Sequence, residues 1–491
     1  MSEYTNVEHP FLERLREIGW QVIDKGSGGI PQDPTETMRT SFSEVILKDE
    51  FYKKLGELNP WITAEQKEYC YRKVTDIDKP LTDANREIHN MLLEGIHLLT
   101  KNEQTGEDNP TAKVINFDKY EKNSFIAINQ FRVDTNNSKP FIIPDIVCFV
   151  NGLPLVVIEC KDENVSEPMS EAYDQIKRYA NQRTADDPFA DGVSEGCERL
   201  FHTNLFSVIT HGIEARCGTI SADFDFYLNW KDIFPEEYAN GINIEPSQRQ
   251  EVLIKGMFNH EILIDIYRNF TLFMQKGDNT VKIICRYQQY RAVGKMIQRL
   301  QNGTDWRSRS GVIWHTQGSG KSLTMVFLVK KMRRMADLRG YRILMVVDRH
   351  DLEEQLAETA EYTGELHQDP HTKKIQNIIA NRQALVKLEG DTADLNLVMI
   401  HKFGENREYS LESLINAGIV PQYESFPVIN ASEKILILID EAHRSQGGDM
   451  GDNLFQAFPN AARIGFTGTP LITPRHKATT CERFGQSAGD F

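Results

Sequence analysis

A short apolar run, GVIW at residues 311–314, leads through HTQGSG into the helical stretch KSLTMVFLVKKM, and no other segment of this 491-residue chain restricts its fold as tightly. A strand covered on both faces reads as a continuous apolar run. A loop of small residues between such a strand and a helix lets backbone N–H groups converge on one point, and the helix N-terminus adds a partial positive charge there. Gly318, Ser319 and Gly320 are the residues that permit close approach to phosphates. Lys321 is placed to reach the terminal phosphates and Ser322 to ligate Mg2+. His315 stands where the strict G-x-x-x-x-G-K pattern has glycine, but the GSGKS core is intact.

The rest of that half of the chain agrees. RILMVVD, LNLVMIH, KILILID and ARIGFTG are further short apolar runs separated by helical patterns, which predicts a parallel sheet wrapped by helices. KILILIDEAH sets Asp440 and Glu441 at a strand end, where ligands bind in open α/β sheets. Asp440 suits the water shell of Mg2+, and Glu441 is the candidate general base that polarises an attacking water. The expected cofactors are ATP and Mg2+.

A second cluster of polar residues lies earlier. PFIIPDIVCFVNGLPLVVIECK, residues 140–161, holds two β-rich runs joined by Asn151 and Gly152, a hairpin signal because a tight turn needs positive φ at its centre. Asp145 begins one strand; Glu159, Cys160 and Lys161 end the other. Alternate residues of a strand share a face, so Glu159 and Lys161 point one way, and the hairpin can bring Asp145 to them. Two carboxylates hold Mg2+, a hard cation that prefers oxygen, and a lysine beside them orients a nucleophile and stabilises charge on phosphate. Gln175 and Tyr179, four residues apart on the following helical stretch, lie on one face of it. Glu13 is weighed as a third carboxylate and read as a surface helix acid.

These readings divide the chain into an α/β domain with the Asp145, Glu159 and Lys161 cluster at 1–230, a linker with a bridging helix at 231–280, and a P-loop domain with a parallel sheet at 281–491. In the first domain, helices are expected near residues 11–20 and 84–99. The formal net charge of −15 excludes a uniformly basic nucleic-acid coat but leaves room for a local basic groove. Seven scattered cysteines without C-x-x-C spacing imply a reduced, cytoplasmic protein with neither zinc nor disulfide framework. No apolar stretch is long enough to span a membrane, and the start has no secretory pattern.

The chain resembles the restriction subunit of type I restriction-modification enzymes. ANREIHNMLLEG, NQFRVD, PDIVCFVNGLPLVVIECK, Q-x-x-x-Y, RYQQYRAV, WHTQGSGKS, VDRHDL, LIDEAH and GFTGTPL carry the resemblance. It implies a PD-(D/E)xK restriction-endonuclease-like fold followed by a RecA-like, helicase-type lobe. The implied nuclease residues are Asp145, Glu159, Lys161, Gln175 and Tyr179. Arg286, Gln289 and Ala292 resemble the adenine-reading Q motif of superfamily 2 helicases. Thr467 to Pro470 resemble the motif that couples ATP state to the DNA track, and VDRHDLEEQ and HKF those lying along nucleic acid. The implied activity is cleavage of unmodified double-stranded DNA after ATP-driven translocation, with modification and specificity subunits as partners. The chain stops just after T-G-T-P, so an arginine finger from a second lobe is not in the sequence, and the expectation is a fragment that binds ATP without translocating. The alternatives are another phage-defence nuclease-helicase or a non-catalytic ATP-binding scaffold; a type III restriction subunit is disfavoured because its nuclease follows its motor.

Overall fold

The strands Phe125–Asn129, Ile146–Val150 and Leu153–Cys160 are buried along their whole length, as their nearly unbroken apolar sequences demand. The computed structural model describes residues 3–491 apart from 28, 136–138, 184–193, 240–247, 278, 317, 348–377, 380–384, 386, 391, 404–425, 441, 443–448, 469–483 and 485–491. The chain forms two units, Met1–Tyr287 and Gln288–Phe491.

In the first unit those three strands belong to a seven-stranded sheet whose spatial order follows the chain: Gln21–Ile23, Phe125–Asn129, Ile146–Val150, Leu153–Cys160, Phe206–Thr210, Ala215–Gly218 and Leu228–Asn229. Two pairings are parallel, Gln21–Ile23 with Phe125–Asn129 and Leu153–Cys160 with Phe206–Thr210. The other pairings are antiparallel. The expected early helices form as His9–Glu17 and Leu81–Glu94, each followed within two residues by a glycine at positive φ, Gly19 and Gly95.

The hairpin turn takes the form its sequence predicts. Asn151 has φ 51° and Gly152 φ 80°, the pair of left-handed residues that matches the twist of the flanking strands. Asn151 is tied down by its own side chain, which donates to Val114 O and Asn123 Oδ1 at 2.8 Å and accepts from Ser124 N at 2.8 Å. Gly152 meets the start of helix Lys48–Leu58, and a Cβ there would stand 2.6 Å from Leu47 O. The turn therefore fixes both the strand register and the seat of a helix.

The segment expected as a linker is packed into the first unit. Trp20 donates its indole N–H to Phe258 O at 2.8 Å, and His260 stacks on Phe125 with ring centroids 3.7 Å apart. The stretch read as a single bridging helix is interrupted: Asn259 accepts from Glu261 N at 3.0 Å and starts a new helix, His260–Asn269. The chain then turns into the antiparallel strands Thr271–Lys276 and Asn279–Ile284. Lys282 of that pair is buried and donates to Asn85 Oδ1 at 2.9 Å and Asn204 O at 2.5 Å.

The second unit is a six-stranded, wholly parallel sheet in the order Gly311–Trp314, Ala462–Thr467, Ile435–Ile439, Arg342–Val347, Leu395–Met399, Ile378–Ile379. Every residue of the strands Ala462–Thr467, Ile435–Ile439, Arg342–Val347 and Leu395–Met399 is buried. Because all strands run the same way, their C-terminal ends share one edge. Six cysteines are buried thiols without disulfides, and Cys481 lies outside the described residues. No described helix is long and apolar enough to cross a membrane.

Candidate nuclease centre and nucleotide loop

The hairpin register pairs Ile146 with Ile158 and Val147 with Val157, and one further step sets Asp145 across from Glu159. Directly opposed residues of an antiparallel pair present their side chains to the same face, so the two carboxylates share one. Asp145 Oδ2 accepts from the Cys160 backbone N–H at 2.7 Å. Lys161, held at the strand end by its N–H on Thr210 O at 2.9 Å, donates its Nζ to Glu159 Oε1 at 2.6 Å. Glu159 is 1% exposed and Lys161 8%.

Burial governs the electrostatics. It raises Asp145 well above the usual carboxylate range, and the neighbouring Glu159 pushes the same way. Burial also lifts Glu159 to about 7, against the opposing pull of Lys161. For Lys161, burial alone would lower the pKa, but Glu159 and Asp145 more than offset it and keep the ammonium charged. The cluster is thus short of positive charge: two buried acids face one lysine.

The helix Pro168–Tyr179 supplies the next layer. Gln175 Nε2 donates to the Tyr179 hydroxyl at 2.8 Å, which donates to Ile143 O at 2.9 Å. Tyr179 is 1% exposed, and burial raises its pKa, with Glu159 and Asp145 adding to the effect. The pair therefore grips the backbone two residues before Asp145.

Sequence reasoning missed Glu8. It is 2% exposed and lifted to about 8, first by burial and next by the charge of Asp145. Its carboxyl accepts from Asn129 Nδ2 at 2.7 Å and from Gln130 Nε2 at 3.2 and 3.4 Å. No spacing rule links a glutamate near the chain start to a hairpin so far along; the one available signal was its place in the first helical segment, where Glu13 drew the attention instead. Glu13 is half exposed and pairs with Arg16.

The donors suit Mg2+. Glu159 Oε2 is buried and receives no hydrogen bond, an acceptor left open on the face it shares with Asp145. Among the described residues no three His, Cys, Asp or Glu side chains gather closely enough to enclose an ion. Mg2+ does not require that, since it keeps several waters and takes one or two carboxylates.

In the second unit Gly320 caps helix Lys321–Arg334 with φ 85°, and Gly318 has φ 78°. Both conformations are left-handed, which is why glycine stands there. A Cβ on Gly318 would meet nothing within 4 Å; one on Gly320 would stand 2.6 Å from Gln289 Nε2. Gln289, 2% exposed, donates to Gly320 O at 3.0 Å, so its amide braces the loop. Ser319 Oγ is buried without a hydrogen-bond partner, and Lys321 is 8% exposed. Ser322 lies in the first turn of the same helix. Burial lowers the His315 pKa, with Lys321 adding to the effect. An unpartnered Ser319 hydroxyl at a helix N-terminus beside a lysine fits a triphosphate.

Asp440, 6% exposed, follows strand Ile435–Ile439 and so stands on the sheet edge that also carries the loop. Trp314 ties that edge together, donating its indole N–H to Gly468 O at 3.1 Å. His401 and Phe403 belong to the short turn Ile400–Phe403 after strand Leu395–Met399. Glu441, Thr469, Pro470 and residues 348–355 lie outside the described residues.

Residues 1–226 match the family described as the type I restriction enzyme R protein N terminus, and residues 288–490 match the SWI2/SNF2 ATPase family. A putative type I restriction enzyme endonuclease subunit of Methanocaldococcus jannaschii, MjaIXP, is 28% identical over 96% of this chain and 43% of its own length. The HindI endonuclease subunit of Haemophilus influenzae, from a type I restriction enzyme, is 29% identical over 96% of this chain and 43% of its own. The chain therefore spans less than half the length of these relatives. Among solved structures, the Hef helicase domain of Pyrococcus furiosus aligns with 40% of this chain and 35% of its own at 17% identity and a TM-score of 0.26.

Proposed function

We propose that this chain, whose residues 1–226 match the type I restriction enzyme R protein N terminus and whose residues 288–490 match the SWI2/SNF2 ATPase family, is the part of an ATP- and Mg2+-dependent type I restriction enzyme that cuts double-stranded DNA and drives its translocation. The observation that carries the reading is the placement of Asp145 and Glu159 on one face of a hairpin, with Lys161 bonded to Glu159, in a chain that also carries the GSGKS loop.

At the nuclease centre Asp145 and Glu159 hold Mg2+, which when bound neutralises charge on the phosphate and makes a water more acidic. Glu159 must first give up its proton, for burial keeps its pKa near 7. Once the carboxylate is engaged, the Lys161 ammonium is available to the oxygens of the scissile phosphate, where negative charge builds. Tyr179 and Gln175 keep Asp145 in register by their grip on Ile143 O.

At the nucleotide loop the backbone N–H groups around Gly318, Ser319 and Gly320 cradle the phosphates of ATP, and Lys321 offsets the charge of the terminal ones. Ser322 and Asp440 serve the Mg2+ of the nucleotide, Glu441 polarises the attacking water, and Gln289 joins adenine recognition to the loop it braces. Modification and specificity subunits are the proposed partners.

The experiment is separation of functions in the complete enzyme. Glu159→Ala should abolish DNA cleavage and leave ATP hydrolysis intact, whereas Lys321→Ala should abolish ATP binding. Cleavage that survives Glu159→Ala, or ATP binding that survives Lys321→Ala, would refute the corresponding half.

A further inference from the structure

Gln130 touches both flanking acids of the nuclease centre, one through its backbone and one through its side chain. Its N–H donates to Asp145 O at 2.8 Å, and its amide donates to both oxygens of Glu8 at 3.2 and 3.4 Å. It does so with φ 49°, in the left-handed region that a residue bearing a Cβ rarely adopts. Such conformations persist where surrounding contacts over-determine them, and they concentrate at functional sites. Here the contacts are explicit. Gln130 follows the sheet strand Phe125–Asn129, and its carbonyl accepts from Arg132 N at 3.0 Å, closing a tight bend. A right-handed or extended residue at this position would carry its amide away from Glu8 or its N–H away from Asp145.

The neighbouring Asn129 adds to this. Its Nδ2 donates to Glu8 Oε1 at 2.7 Å and to Asp24 Oδ1 at 3.2 Å, so Glu8 is held by two consecutive amides. Glu8 lies too far from the acid pair to enclose an ion with it. The open, buried Glu159 Oε2 is the independent sign that something binds on this face.

We propose that Gln130 is the positioning residue of the nuclease centre: by fixing Asp145 through the main chain and Glu8 through the carboxamide, it sets the spacing of the acids and hence the affinity for a divalent cation. The proposal rests on the nuclease reading above. Partners that orient metal-binding side chains contribute about 10–100-fold to metal affinity, which sets the size of the expected effect.

The test is calorimetric titration of Mg2+ into the nucleotide-free chain, with Glu159→Ala defining the part of the binding that belongs to this centre. Gln130→Gly keeps the left-handed backbone accessible and removes the amide; it should weaken that part at least about tenfold. Gln130→Asn, which tolerates the same backbone and shortens the amide by one methylene, should fall between Gly and wild type. In a Glu8→Gln background, Gln130→Gly should add less than about twofold, because the amide no longer has a carboxylate to orient. In the complete enzyme the same variants should raise the Mg2+ concentration for half-maximal cleavage, recover rate at saturating Mg2+, and leave ATP hydrolysis unchanged. Wild-type Mg2+ affinity in both Gln130 variants, or a full additive loss in the Glu8→Gln background, would overturn the role of Gln130 alone. No Glu159-dependent binding at all would overturn the nuclease reading and this proposal together.

Discussion

Lys161 donates its ammonium to one oxygen of Glu159 over 2.6 Å, while the other oxygen of that carboxylate, equally buried, receives no hydrogen bond. The lysine thus occupies half of the acceptor capacity that a cation would use and leaves the other half open. Charge balance makes the arrangement responsive, since Asp145 and Glu159 together outnumber the single lysine beside them.

Replacing Lys161 with Met should therefore do two things. Cleavage by the complete enzyme should fall by about 10²–10³-fold through loss of a positive group at the developing phosphate charge. The Glu159 pKa should also climb, because the attraction that opposes its burial is gone. Carbonyl-region difference infrared spectra of the metal-free chain, followed against pH, read the second effect; an unmoved Glu159 titration would contradict it.

The metal-free chain should lose stability as pH rises from about 4.5 towards 8. Folded-state pKa values near 7 for Glu159 and near 8 for Glu8 both lie above the ordinary glutamate value of 4.5. The folded state then holds protons that the unfolded chain has released, so each unit of pH in that window favours unfolding. The cost is absent below the unfolded pKa and complete above the folded one, up to about 3 kcal/mol for Glu159. Denaturant titrations across pH should show this slope, flattened in Glu159→Gln and in the presence of Mg2+. A flat wild-type profile would contradict it.

Tyr179→Phe removes the donor to Ile143 O and the acceptor of Gln175 without changing shape. The half-buried Ile143 carbonyl then lacks its partner, at about 1 kcal/mol. Urea unfolding of the first unit should shift accordingly, and cleavage should weaken while ATP binding stays at its wild-type value. Equal loss of both activities would point to general damage rather than to the steering of Asp145.

Gly320→Ala should weaken ATP binding by about 10–100-fold while sparing the first unit. The new methyl group would stand 2.6 Å from Gln289 Nε2 and would sit on a backbone with φ 85°. The strain is about 1–3 kcal/mol, concentrated in the loop that must close on phosphate. Fluorescent-nucleotide titration is the measurement, and an unchanged dissociation constant would contradict the prediction.

Local chemistry made several features readable from the chain alone. Asn151-Gly152 announced a hairpin because its two φ values are confined to a turn few other residues tolerate. The apolar runs of the second unit announced a parallel sheet because strands covered on both faces have no polar side to show. Gly318 and Gly320 announced left-handed turns ahead of a helix for the same reason of confined geometry. What tertiary structure alone decided involves residues far apart in sequence. Glu8 reaches Asn129 and Gln130 through side-chain hydrogen bonds, Gln130 meets Asp145 because strand Phe125–Asn129 pairs with Ile146–Val150, and neither residue carries a spacing signal. The segment 231–280 looked like a connector because its amphipathic pattern cannot say what it covers; Trp20 and Phe125 supply the partners. Periodicity and turn chemistry are properties of neighbouring residues, whereas the convergence of buried acids is a property of packing.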